Sequence, residues 1–313
     1  MKRAASTPVS RERLAGVLAL FAGLAVAQAE SLVVRPSADT SLFEQYPENN
    51  LGHSRLAAGS LGTGSRSRAL IRFDLTAIPT NATVQSAILA VVLVRSPPTA
   101  VASEFELRRV LKSWVEGDKG QPGVDSGAPG TIGEPTWNLR AVPDQGWGAP
   151  GGRLGVDFAD AVSATTRIVR EGDYQFGPAD GFTADVQRWI KTPAENWGWV
   201  LRSQDEATKS TARRFGGREE AGSEPVLTVT YVVPGPDLRI DSFVRVGHEV
   251  KLQFAAEAGW AYAVERVSTL GDTNWMVIST LASKFSPTNF TVTDPIVAEG
   301  VRFYRLHLIG QID

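Results

Sequence analysis

The 313-residue chain has no cysteine. Disulfides are thereby excluded, and stability has to come from packing, hydrogen bonding or a bound ion. Histidine is scarce too: His53, His248 and His307 are the whole complement, and none falls in an HExxH or comparable spacing. That leaves no sequence support for a zinc site. There is no GxSxG elbow, and with so few histidines a Ser/His/Asp triad has no support either. The segment "GSLGTGS" (59–65) lacks the lysine and the following helix of a phosphate-cradling loop. Charge of one sign is also lacking: 32 Lys and Arg stand against 34 Asp and Glu, interspersed, for a net charge of −2. Binding a phosphate backbone needs a concentrated positive surface, so nucleic acid is not an expected partner.

Long hydrophobic runs are absent but for one, "LAGVLALFAGLAVA" (14–27). It follows Lys2, Arg3, Arg11 and Arg13 and ends at Ala27-Gln28-Ala29, small residues where a signal peptidase requires them. The run is shorter than the roughly 18–20 residues that span a bilayer, so residues 1–29 read as a cleaved signal peptide. The expected location is secreted, extracellular or periplasmic.

What the chain does have is 30 Gly and 18 Pro among many Val, Thr and Leu, the composition of an all-β protein with many turns. The remaining length exceeds the ~250 residues at which single cores split, so two domains are expected. In "ALIRFDL", Ile71, Phe73 and Leu75 share one face and Arg72 and Asp74 the other. "VQSAILAVVLV" (84–94) is apolar on both faces, as a central strand covered on both sides would be. In "FELRRVLKSW" (105–114), Phe105 and Leu107 oppose Glu106 and Arg108. Two Gly/Pro-rich stretches, 115–135 and 144–155, break any ladder; they read as functional loops or as surface insertions. "GFTADVQRWIKTPAENWG" (181–198) predicts a short helix with Val186, Trp189 and Ile190 on one stripe, capped by Thr183 and ended by Pro193. "PGPDLRI" (234–240) is a Pro/Gly break with a change of style beyond it. The expected organisation is therefore a domain at 30–233, a linker at 234–237 and a second domain at 238–313. The second reads as six or seven short strands with turn residues every 8–12 positions, an immunoglobulin- or fibronectin-like sandwich.

Three kinds of site are conceivable. The polar segment "SADTSLFEQYPENNLGHS" (37–54) places Asp39, Asn49, Asn50 and the Gly52 carbonyl together, a set that suits Ca2+ or simple Asx turns. Glu116, Asp118, Asp125 and Glu134 are available as the paired carboxylates of a glycoside hydrolase. Among the aromatics, Trp114, Trp189, Trp199 and Trp275 sit at periodic apolar positions and read as core. Tyr46 in "EQYPENN" and Trp147 in "DQGWGAPGG" are flanked by Gly, Pro and amides, and are the expected exposed sugar-stacking rings.

The blocks "RALIRFDL…IPTNATVQSAIL", "WVEG…PTWN" and "RRFGGREE…PVLTVTY", in that order, resemble DNRLRE-domain proteins, a family overlapping carbohydrate-binding module family 96 and disaggregatase-related repeats. The resemblance covers residues 33–232. It implies an exported jelly-roll β-sandwich that binds polysaccharide and has no catalytic machinery. Asp39, Asn50 and Asp74 fall at polar positions typical of that pattern and are the expected ligands of a structural Ca2+. The tail, with Tyr262, Val264, Trp275, Asp294, Pro295, Arg302, Phe303, Tyr304 and Arg305, resembles small fibronectin-like domains that space or display exported bacterial proteins. The expectation is thus an all-β, two-sandwich, monomeric polysaccharide-binding protein that is displayed on a cell surface at most. A polysaccharide-degrading hydrolase or lyase and a structural or adhesive envelope protein are the alternatives.

Overall fold

The computed structural model describes residues 29–120, 126–297 and 300–311, so the expected leader lies outside the described residues apart from Ala29. The chain divides into two compact units, one ending at Pro234 and the other beginning at Gly235. Among the described residues the structure is β apart from one α-helix and one 3₁₀ turn, and no helix is long and apolar enough to cross a membrane.

The first unit opens with β1 (Ala29–Val34), β2 (Pro36–Phe43), β3 (Asn49–Asn50), β4 (Leu56–Ser60), β5 (Arg66–Phe73), β6 (Thr83–Arg95) and β7 (Ser103–Arg109). Short ladders β8 (Ala128–Pro129), β9 (Leu139–Ala141) and β10 (Gln145–Gly146) punctuate the Gly/Pro-rich region. β11 (Ala164–Ile168), β12 (Gly172–Phe176), α1 (Asp180–Lys191), β13 (Trp199–Ser203), β14 (Arg213–Phe215) and β15 (Val226–Val232) complete it.

These strands form an antiparallel sandwich. One layer is built on the long β6, with β15 and β14 along one edge and β12 on the other; β1 lies outside β15. The other runs β2-β5-β13-β7-β11. β4 pairs with β14 in the first layer and β5 in the second, which makes the hydrogen-bonded path continuous. Period-2 alternation sends Ile71 and Phe73, Phe105 and Leu107, Leu89 and Val91, and Leu227 and Val229 into one shared core. The outward residues of β6, Ile88, Ala90, Val92 and Val94, are only half-buried. The expected cover on both faces is therefore corrected: β6 is central in its layer but open on one side.

α1 closes the sandwich with Phe182, Val186, Trp189 and Ile190. Phe182 stacks on Trp199 with centroids 4.2 Å apart, and Trp189 meets the same ring edge-on at 4.4 Å. Because Phe182 extends the apolar stripe by a turn, the helix begins earlier than expected. Ala179 is the N-cap and makes no side-chain cap bond, so Thr183 lies inside the helix rather than capping it. Pro193 opens the following 3₁₀ turn, as a proline after a helix should.

The second unit contains β16 (Ser242–Val246), β17 (Glu249–Ala256), β18 (Trp260–Val267), β19 (Met276–Leu281), β20 (Thr288–Pro295) and β21 (Phe303–Gln311). Two three-stranded sheets, β16-β17-β20 and β19-β18-β21, enclose Leu252, Phe254, Tyr262, Val264, Tyr304 and Leu306. At the centre Asp294 accepts hydrogen bonds from Arg266 Nη1 (2.6 Å), Arg302 Nη1 (2.7 Å) and the Tyr304 hydroxyl (2.7 Å). Burial, then the Asp294 carboxylate, push the Tyr304 phenol up to about 12. A raised phenol contributes stability that is complete below the ordinary tyrosine value of about 10 and is lost as pH rises through the folded value. The thermal midpoint of the second unit should therefore hold to about pH 10 and fall between pH 10 and 12. Tyr304→Phe should flatten that fall; an unchanged slope in stepped-pH melts would disprove the assignment.

Candidate functional site: a strand-end cleft and a buried carboxylate cluster

The outward face of β5 is not open. The Gly/Pro-rich region lies over it as a third layer, burying Trp114, Trp137, Trp147 and Phe158 against Leu42, Leu70 and Val200. The guanidinium groups of Arg66 and Arg68 stand over Trp137 at 5.2 and 5.4 Å, and that of Arg72 over Trp114 at 5.3 Å. Arg68 also donates to the carbonyls of Gly151 and Gly152, both at 2.7 Å, and bidentately to Glu206 at 2.8 and 2.6 Å. Arg202 bridges Glu206 (3.1 Å) and Glu106 (3.5 Å), and Arg108 pairs Glu106 at 2.6 Å. Charges thus alternate across β5, β13 and β7 beneath the layer.

Trp147 is not an exposed ring. It is 7 % accessible, its Nε1–H donates to the Thr136 carbonyl at 2.9 Å, and it lies against Phe158 at 5.9 Å. Gly151 and Gly152, a few residues on, serve close packing rather than exposure. A Cβ on Gly151 would come within 2.5 Å of Trp137, one on Gly152 within 2.3 Å of Phe158, and both have φ near +80 to +90°.

Tyr46 is 41 % accessible. A tight turn holds it, with Tyr46 N donating to Phe43 O (3.2 Å) and Asn49 N to Tyr46 O (3.0 Å), and its ring sits edge-on to Phe43. Glu44, bonded to Arg66, and Glu48, bonded to Asn138, flank it.

At the opposite end of β2 and β5, a cleft of about 240 Å³ is lined by Ser37, Arg72, Asp74, Thr76, Trp189 and Pro193, among others. Asp74 Oδ1 accepts from the Thr76 N–H (2.9 Å) and hydroxyl (2.7 Å), which hold the carboxyl below its ordinary value. Trp189 Nε1 is buried with no hydrogen-bond partner among the described residues. From Ser67, opposite Phe43, to Phe73, opposite Pro36, β5 advances six residues, so Tyr46 and this cleft are roughly 20 Å apart.

Asp39 and Asn50 meet around Glu116, away from Asp74. Asp39 lies on β2 rather than in an irregular segment, and its N–H donates to Glu116 Oε1 at 2.8 Å. The Asn50 amide donates to the carbonyls of Glu116 (2.9 Å) and Pro135 (3.0 Å), while its Oδ1 accepts from Gly52 N at 3.0 Å. Asn50 is thereby a clip that fixes the loop carrying Glu116. Asp39 and Asn50 thus share a neighbourhood, but Asp74 stands just past the end of β5, three residues or about 10 Å beyond the Asp39 partner Ile71. The expected three-residue set is not assembled at one point.

The neighbours that sequence reasoning missed are Arg218 and Glu219. Arg218 forms a fork with Glu116, Nε–Oε1 2.9 Å and Nη2–Oε2 2.7 Å, and its N–H donates to Asp39 Oδ2 at 2.8 Å. Burial first, and Glu219 second, push the Asp39 carboxyl well above its ordinary value; burial likewise raises Glu219.

Of the other acids, Asp125 lies outside the described residues. Asp118 pairs with Lys119, and buried Glu134 accepts from the Asp118 and Thr131 N–H groups at 2.9 and 2.6 Å. Among the described residues no three His, Cys, Asp or Glu side chains are grouped as a ready-made metal centre. No family model matches the chain, and no curated protein matches it.

Proposed function

We propose that the chain is a secreted, non-catalytic polysaccharide-binding protein that holds glycan at the cleft beside Asp74. The observation that carries this reading is the cleft's lining. Ser37, Arg72, Asp74 and Thr76 offer donors and acceptors to hydroxyl groups, while the exposed ring of Pro193 offers apolar surface to a C–H face. At about 240 Å³ the cleft falls below the roughly 300–1,000 Å³ of drug-sized sites, so it suits one sugar ring of a longer chain. Tyr46, about 20 Å away along the same strands, is a second contact for an extended polymer. The resemblance to DNRLRE-domain proteins supports the same reading.

Affinity electrophoresis of the exported chain through neutral and acidic polysaccharides tests it. Retention without released products is expected. Asp74→Asn keeps the acceptor for Thr76 but loses the charge, and should weaken retention about tenfold at an unchanged melting midpoint. Released products would instead identify a hydrolase or lyase. Absence of both across acidic and neutral glycans would discard the carbohydrate reading in favour of an adhesive or structural role.

A further inference from the structure

We infer that the first unit binds one Ca2+ between the carboxylates of Asp39 and Glu219. The inference stands independently of the glycan cleft. Three carboxylates meet at Arg218: its guanidinium touches Glu116 and Glu219, and its backbone N–H donates to Asp39. Arg218 forks Glu116 and also pairs with Glu219 Oε1 at 2.9 Å, so one arginine serves three carboxylates.

Both remaining carboxylates are short of partners. Asp39 is 0 % accessible, and its Oδ1 has no hydrogen bond. Both oxygens of Glu219 are buried without one; Arg218 Nη2 approaches Oε1 at 2.9 Å, but in an alignment that falls short of a hydrogen bond. Buried carboxylates left in this state destabilise the fold unless they are protonated or meet a cation.

The donor set selects the ion. Every unpartnered atom is a carboxylate oxygen, which favours a hard cation over zinc or copper. Neither Glu219 oxygen accepts a hydrogen bond, although Oε1 pairs with Arg218, so the group can turn both oxygens to Ca2+; Mg2+ holds its waters and demands a near-ideal octahedron. Two carboxylates with water completing the shell correspond to the weak class of extracellular sites, with Kd of about 10⁻⁴–10⁻³ M. The ion would join β2 to the segment after β14 and stabilise the folded chain, which has no disulfide for that purpose.

Thermal unfolding of the full exported chain in 10 mM CaCl2 and in EDTA is the test. The midpoint of the first unit should rise by about 3–10 °C with calcium. Glu219→Gln and Asp39→Asn should each abolish that rise and lift the EDTA midpoint, because each removes a buried like charge. Asp74→Asn should leave the rise intact. An equal wild-type midpoint in calcium and EDTA would overturn the inference and leave protonated carboxyls as the account of the cluster. So would a rise that both Glu219→Gln and Asp39→Asn retain, or one that Asp74→Asn removes.

Discussion

Trp147→Ala should lower the stability of the first unit by about 3–5 kcal/mol, the range for deleting a buried large aromatic. Trp147 fills the third layer beside Phe158, and its indole N–H satisfies the Thr136 carbonyl. Removing it leaves a cavity and an unpaired buried acceptor, and the neighbouring glycines have no side chains with which to fill the space. Denaturant unfolding of the full chain measures this directly. A loss below about 1 kcal/mol would place the ring at the surface, where its sequence neighbourhood suggests it should be.

Arg68→Ala should cost a comparable amount, about 3–5 kcal/mol, because it breaks a buried charge pair and orphans two carbonyls together. Arg68 connects β5 to Glu206 and to the Gly151 and Gly152 carbonyls while standing over Trp137. Arg68→Lys should recover little of the loss, since an ammonium has neither the fork for Glu206 nor the plane for Trp137. Full recovery by Lys in the same denaturant titration would show that charge alone mattered.

The two residues mark where the sequence is legible and where it is not. Strand alternation in β5 and β15 and the Val186–Trp189–Ile190 stripe can be read directly, because each faces a single core with a fixed period. The polar "SADTS" hides β2 as a strand: Ala38 and Leu42 are buried under the added third layer, which alternation cannot signal. Trp147 is hidden from sequence reasoning in a similar way, because Gly151 and Gly152 read as loop punctuation but are clearances for the Trp137 and Phe158 rings. The cluster around Glu116 was scattered: Asp39 meets Glu116 across 77 positions and Arg218 across 179. Yet Glu116, Arg218 and Glu219 come from "WVEG" and "GGREE", within blocks that carry the resemblance, and Asp39 and Asn50 fall at polar positions typical of the same pattern.

The third layer also bears on how the chain acquires its structure. Part of its hold on the sheet comes from Arg68, which reaches Gly151 across 83 positions while anchored to Glu206 across 138. Closing such long loops is entropically slow, and no contact repays it until β5 and β13 already lie side by side. Among its described residues the layer has little regular pairing of its own, chiefly the short β9–β10 ladder and the Leu154–Phe158 bridge. Folding of the first unit therefore has an imposed order, with the sandwich forming first and its tryptophan-rich cover docking afterwards onto a row of arginines that only the finished sheet can align.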